Sequence, residues 1–373
     1  MIDPQGHCAN HFGAVREAFA AALAAGEELG AAFAMTIDGE LVIDLTGGFA
    51  DKAKTRPFGP RTLTPVFSTT KAVAAILIAR LVDQGRLAHD QPVAEVWPEF
   101  GQAGKDRVTV AQALSHQAGV PGFAEAMEPE LWFDWDAICA RIAAAAPLWP
   151  PGTASGYHAA TYGFIAGEIY RRVDGRTMGE AVAKDLRHAH GLDLWIGVPA
   201  SEDDRVAEVE RPRRLPDFGE INEPRRVAFM TRWASPAAGG DGWRRAELPA
   251  SNGHATAASL ARLMGALATG GDFDGGRFLS PGVIAEASRE RIAGPDLVMP
   301  YTMSWGAGFM RNGPSRMYGP GAASFGHSGW GGSCAFADPD RGVAMAYVMN
   351  RQSSLLLGDP RPRRLIEAAY GCL

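Results

Sequence analysis

Phe67-Ser68-Thr69-Thr70-Lys71-Ala72-Val73-Ala74-Ala75-Ile76-Leu77-Ile78-Ala79-Arg80-Leu81-Val82 is the stretch on which the reading of this chain turns. It is a strongly apolar helical run with a serine and a lysine at its head. Residues i and i+3 of a helix are neighbours on one face, so Lys71 can reach back to the Ser68 hydroxyl. A serine hydroxyl is a weak nucleophile at neutral pH and needs a base beside it. Lysine serves as that base only where burial lowers its pKa, and a helix apolar on every side supplies the burial. The helix N-terminus adds free backbone N–H groups and a partial positive charge where a negative oxygen would form. By itself, Ser-x-x-Lys is a weak signal and fits better a serine N-cap followed by a snorkelling lysine. Two further segments separate these readings.

The whole chain has 373 residues, enough for two lobes or one large domain with an insertion. Its hydrophobic (46%) and charged (21%) fractions are those of an ordinary globular protein. A net charge of −6 leaves no basic footprint and argues against nucleic acid as a partner. Cys8, Cys139, Cys334 and Cys372 are scattered, without metal-ligand spacing, and are expected to be free thiols in a reducing compartment. The alanine-rich run at 18–25 is flanked by Arg16-Glu17 and Glu27-Glu28, which favours an amphipathic helix over a signal-peptide core. No apolar run reaches membrane-spanning length, and the expected location is cytoplasmic.

Near the start, 30–37 and 40–45 read as strands joined by the turn Asp38-Gly39. From the Ser68 helix to about residue 190 the signals are helical, with Thr109 as a cap and Thr177 with Glu180 as a capping box. Residues 199–250, rich in Pro, Arg, Asp and Gly, read as long loops around a site. After a helix at 257–267 the last third turns to strands at 306–310, 333–337 and 343–349, and a helix at 363–370 ends it. Strands at both ends with helices between predict an α/β fold of the α+β type. One antiparallel sheet, flanked by helices, is built from both chain ends and carries an inserted, mainly helical lobe. The expected division is 1–65 with 246–373 as the α/β domain and 66–245 as the helical one, with the active site in the cleft between them.

The second segment is Pro151-Gly152-Thr153-Ala154-Ser155-Gly156-Tyr157-His158-Ala159, a turn that brings Tyr157 to the start of a helix. Beside a lysine, a tyrosine hydroxyl on such a loop can pass protons. An aromatic that simply packs the loop is the plainer alternative. The third is Phe325-Gly326-His327-Ser328-Gly329-Trp330-Gly331-Gly332, whose glycines let a substrate approach an edge strand. A phosphate loop is excluded there, because no Gly-Lys-Ser/Thr follows and a strand comes next.

In this order and at these separations, the three segments resemble the serine β-lactamase and penicillin-binding-protein superfamily, with its Ser-x-x-Lys, Tyr-x-Asn and Lys-Thr-Gly motifs. Leu114-Ser115-His116-Gln117-Ala118-Gly119-Val120-Pro121 and Asn252-Gly253-His254-Ala255-Thr256-Ala257 are similar to two further family turns, so the resemblance spans most of the chain. Within it, the class C β-lactamase-like esterases (family VIII carboxylesterases) match best. Ala159 stands where the family motif has Asn, His327 where it has Lys, and a bulky Trp330 follows. Each departure removes a reason to bind a charged, amide-bearing β-lactam while leaving the acyl-transfer groups in place.

The resemblance implies a serine carboxylesterase acting on short, fairly apolar esters. Ser68 is the nucleophile, Lys71 and Tyr157 together handle the proton, and the backbone N–H groups of Ser68 and Trp330 bind the oxyanion. His327, Gly329 and Trp330 shape substrate binding. No metal or organic cofactor is implied, and the partner is a small-molecule ester. A β-lactamase, D-aminopeptidase or acyltransferase on the same fold is the enzymatic alternative, and a non-catalytic sensor the other. Of the remaining candidates, His158 could act as a second base, although a histidine there more often bonds within its loop. His116 reads as structural. His188 and His190 cannot share a helix face, and 272–276 reads as a plain turn. Trp132, Trp135, Trp233 and Trp330 are candidates to line an apolar pocket.

Overall fold

The computed structural model describes residues 3–125, 127–230, 240–313 and 316–373. In chain order its strands are β1 (Gln5–Cys8), β2 (Gly30–Ile37), β3 (Glu40–Gly48), β4 (Thr64–Phe67), β5 (Leu194–Ile196), β6 (Gly253–Ala255) and β7 (Asp272–Phe273). They continue with β8 (Gly276–Arg277), β9 (Ile292–Pro295), β10 (Thr302–Trp305), β11 (Met310–Arg311), β12 (Phe325–Ser328), β13 (Cys334–Asp338) and β14 (Val343–Met349). Nine of them form one antiparallel sheet in the order β1-β3-β2-β14-β13-β12-β11-β10-β9. The two chain ends meet at its centre, where β2 pairs with β14 and Ala34 lies opposite Ala346.

Alternation along these central strands explains how both faces are covered. Phe33, Met35, Met345 and Tyr347 point to a core shared with the terminal helices Gly13–Ala24 and Pro360–Tyr370. Ala32, Ala34, Ala344 and Ala346 point the other way, toward the Ala257–Ala268 helix. Small side chains on that face let the helix lie close. A Cβ on its Gly265 would come within 2.6 Å of Thr36 Oγ1. Beyond this helix the same core continues into the Thr70–Asp83 and Thr161–Asp174 helices, which pack on each other. With both faces buried, the strands read as unbroken apolar runs.

Several expectations change in detail. Residues 306–309 form a turn, not a strand. Gly308 adopts φ +93° and sits against Ala75 and Tyr162, so the pairing falls instead on Thr302–Trp305 and Met310–Arg311. The 199–250 segment contains the helices Glu223–Phe229 and Gly240–Arg245, the first capped by the Asn222 side chain. The last helix begins at Pro360, because prolines in a first turn forfeit no helical hydrogen bond. A small sheet, β4-β6-β5, escapes the sequence reading altogether; its strands are three or four residues long and come from distant parts of the chain. The Asp272–Phe273 and Gly276–Arg277 strands pair as a short hairpin.

Candidate active site

Ser68 sits where β4 passes directly into the Thr70–Asp83 helix. The residue before it, Phe67, is held at φ +47°, a left-handed conformation that costs a bulky residue about 1–3 kcal/mol. This kink points the serine out of the strand while Lys71 N–H already bonds Ser68 O at 3.0 Å. The Ser68 N–H has no acceptor among the described residues.

Lys71 Nζ lies 3.2 Å from Ser68 Oγ and donates to the carbonyls of Ala159 at 2.8 Å and Ala250 at 2.9 Å. The side chain is fully buried, and burial holds its pKa well below the usual lysine value of 10.5. A neutral amine has two N–H bonds and one lone pair. The two carbonyls take both N–H bonds, so the lone pair faces the serine hydroxyl.

Tyr157 enters from the loop before the Thr161–Asp174 helix. Its ring stacks on Trp305 (5.8 Å between centroids, 12° between planes), meets His116 edge-on, and lies 4.8 Å from Lys71 Nζ. Burial raises the phenol pKa, and a hydrogen bond with Ser68 works against that rise. The buried Asp296 anchors this loop from a distant segment. It accepts Tyr157 N–H at 2.9 Å and Ser155 O–H at 2.8 Å. His116 and His158 serve the same loop. His158 donates from Nδ1 to Gly156 O (2.7 Å) and accepts Val120 N–H at Nε2 (3.1 Å), so both its ring nitrogens are engaged.

The edge of β12 closes the third side. A Cβ on Gly329 would lie 2.3 Å from Val66 O and 3.2 Å from Ser68 N, so only glycine lets this strand end come so near the serine. His327 Nδ1 donates to Ser328 O, and burial pulls the imidazole pKa down to about 3. Behind the strand end the chain turns sharply at Gly331 and Gly332, with φ of +95° and +125°. Arg361 holds that turn. Its guanidinium donates to Gly331 O at 2.8 Å and pairs with Asp359 (2.6 Å) and Glu28 (2.9 Å) in a buried cluster.

A cavity opens beside Ser68, lined by Phe67, Tyr157, Ala159, Met299, Trp330 and other apolar side chains. Leu215, Phe218, Phe229 and Met230 of the 199–250 segment form one wall. No Asp, Glu, Lys or Arg lines it among the described residues. Of the tryptophan candidates, Trp330 lines this cavity. Trp132 and Trp135 instead pack on Phe164 in the helical core, and Trp233 lies outside the described residues.

A family model described as Beta-lactamase matches residues 15–370. The chain belongs to the beta-lactamase family. Esterase/beta-lactamase LipL of Mycobacterium tuberculosis (strain ATCC 25618 / H37Rv) is 36% identical over 362 residues, covering 93% of this chain and 82% of that protein. Among solved structures, a penicillin-binding protein homolog from Caulobacter crescentus shares 63% identity at TM-score 0.97, over the full length of both chains. A family VIII carboxylesterase shares 44% identity at TM-score 0.94, covering 99% of this chain and 100% of that one.

Among beta-lactamase-family chains, the departures in this one can now be placed. Ala159 keeps its carbonyl on Lys71 but has no amide to offer into the cavity. His327, expected to stand for the motif lysine, is buried, and burial favours its neutral ring. Sequence reading missed Asp296 and Arg361. Each lies far along the chain from the loop it supports, and an isolated Asp or Arg carries no motif. The one signal for Arg361 was its place in the Asp359–Pro360 helix start, which reads as a cap.

Proposed function

We propose that this protein is a serine carboxylesterase that cleaves short, fairly apolar esters through an acyl-enzyme on Ser68. The observation that carries this reading is a cavity with no Asp, Glu, Lys or Arg among its described lining residues, beside a serine whose lysine neighbour is buried and turned toward it. Ser68 Oγ attacks the ester carbonyl carbon and gives its proton to Lys71 Nζ. The carbonyl oxygen, now negative, is held by the N–H groups of Ser68 and Trp330, with the start of the helix behind them. As the C–O bond breaks, the leaving alkoxide takes a proton from Tyr157, which recovers one from Lys71. Water repeats the sequence on the acyl-enzyme, releasing the acid and restoring Ser68.

The geometry supports this division of labour. Lys71 has the lowered pKa of a base, and Tyr157 has the raised pKa of a group that keeps its proton until another takes it. Gly329 gives the close approach, and neutral His327 offers no cation to a substrate carboxylate. In this reading the chemistry runs in the cleft between an α/β part (1–65 and 246–373) and a mainly helical part (66–245). No described helix is long and apolar enough to cross a membrane, and the four unpaired cysteines support a cytoplasmic location.

The test is hydrolysis of short p-nitrophenyl esters beside a chromogenic cephalosporin, with wild type and Ser68→Ala in parallel. Fast ester turnover lost in Ser68→Ala, with slow cephalosporin cleavage, is expected. Dominant cephalosporin turnover would replace the esterase reading with a β-lactamase one.

A further inference from the structure

A second cavity, of about 330 Å³, lies on the far side of the β12 edge, between β10, β12 and the Pro360–Tyr370 helix. Met303, Met317, Tyr318, Leu355 and Ile366 contribute much of its wall. It meets the Ser68 cavity, itself about 280 Å³, at Ser328, Leu356 and Leu357, which line both. The charged groups that line it are already engaged. Asp359 pairs with Arg361, Arg363 with Glu367, and Arg311 donates to Ser288 O. They leave apolar contact as the main thing the cavity offers.

The partition between the two cavities is slight. Tyr318 O–H reaches Met310 Sδ at 3.4 Å and lies 3.1 Å from Ser328 Oγ, which fixes one side of the passage. The other side is the strap Leu355-Leu356-Leu357 between β14 and the last helix. The backbone groups of Leu356 and Leu357 make no hydrogen bond among the described residues. Two leucine side chains on an unbonded strap can shift without breaking any secondary structure.

We propose that this second cavity is a substrate subsite, and that an extended apolar arm of the ester passes Ser328 and the Leu356–Leu357 strap to occupy it. The proposal rests on the carboxylesterase reading and extends it beyond short esters, to esters with one short arm and one long hydrocarbon arm. Each additional methylene that enters the subsite raises kcat/KM, by roughly fourfold at full burial.

Two ester series distinguish the arms: p-nitrophenyl esters of acids from acetate to decanoate, and acetates of alcohols from ethanol to decanol. Each is run on wild type, on Met303→Trp and Ile366→Trp, which fill the subsite, and on Leu357→Ala, which widens the passage. In one series kcat/KM is expected to climb with chain length. The filling variants should cut its long members at least tenfold and leave the acetate or ethyl member unchanged, and Leu357→Ala should raise the long members. The responding series identifies the arm. Unchanged length profiles in folded filling variants and in Leu357→Ala, or equal losses at every length, would overturn the subsite. Lack of any turnover by wild type would instead overturn the esterase reading.

Discussion

Lys71 and Lys105 make an instructive pair. Both are fully buried, and burial lowers the pKa of both, that of Lys105 to about 8. Lys105 Nζ donates to three carbonyls, Gln102 O (2.8 Å), Ala143 O (3.1 Å) and Ala145 O (2.5 Å). Two of these belong to the C-terminal end of the Trp135–Ala144 helix, where a cation meets the negative end of the helix dipole. Lys71 has two carbonyls and, in the third position, a hydroxyl. A carbonyl has no proton to give, so Lys105 ties a helix end to a turn. A hydroxyl does, so Lys71 faces a group it can deprotonate. Desolvation alone does not make a base; the third partner does.

The comparison breaks first, if it breaks at all, at Lys71→Met. Loss of the base should lower kcat by about 10³-fold or more, in line with Ser68→Ala. Retention of activity within tenfold would put the base elsewhere. Tyr157→Phe keeps the ring between Trp305 and His116 and removes only the hydroxyl, so kcat should fall about 10²-fold with KM nearly unchanged. A KM effect alone would make Tyr157 a packing residue.

Lys105→Met should act the other way. Three carbonyls lose their donor, which lowers stability by about 2–4 kcal/mol in denaturant titrations, while kcat per folded molecule stays at the wild-type value. The smallest effects lie in pH dependence. Activity requires neutral Lys71, so the acid limb of kcat/KM should fall well below pH 10.5, and a rate still climbing at pH 10 would contradict the lowered pKa. For Lys105, the unfolded chain keeps its proton up to about pH 10.5 while the folded one releases it near 8. The folded state therefore gains stability as pH rises through that window, and Lys105→Met should remove that gain.

The two lysines also differ in how much of their setting can be read along the chain. Ser68 and Lys71 share one helix face, so their pairing follows from spacing. The hairpin at Asp38-Gly39 and the caps at Thr109, Thr177 and Thr256 are equally local, and the structure has them. Nothing local marks Lys105, whose partners at 143 and 145 lie in another element. Nor does anything local announce that Lys71 loses its two N–H bonds to residues 88 and 179 positions away.

By itself, then, the sequence determined what short-range physics governs: the strongest helices and strands, the serine–lysine pair, and the glycines and substitutions that set this chain within its family. Only the tertiary structure decided the rest. It brought Asp296 under Tyr157 and Arg361 under the Gly331–Gly332 turn, lined the serine cavity with uncharged side chains among the described residues, and opened a second cavity behind the β12 edge. These contacts join residues far apart in the chain, and their energy comes from burial that exists only once the sheet and helices have closed on one another.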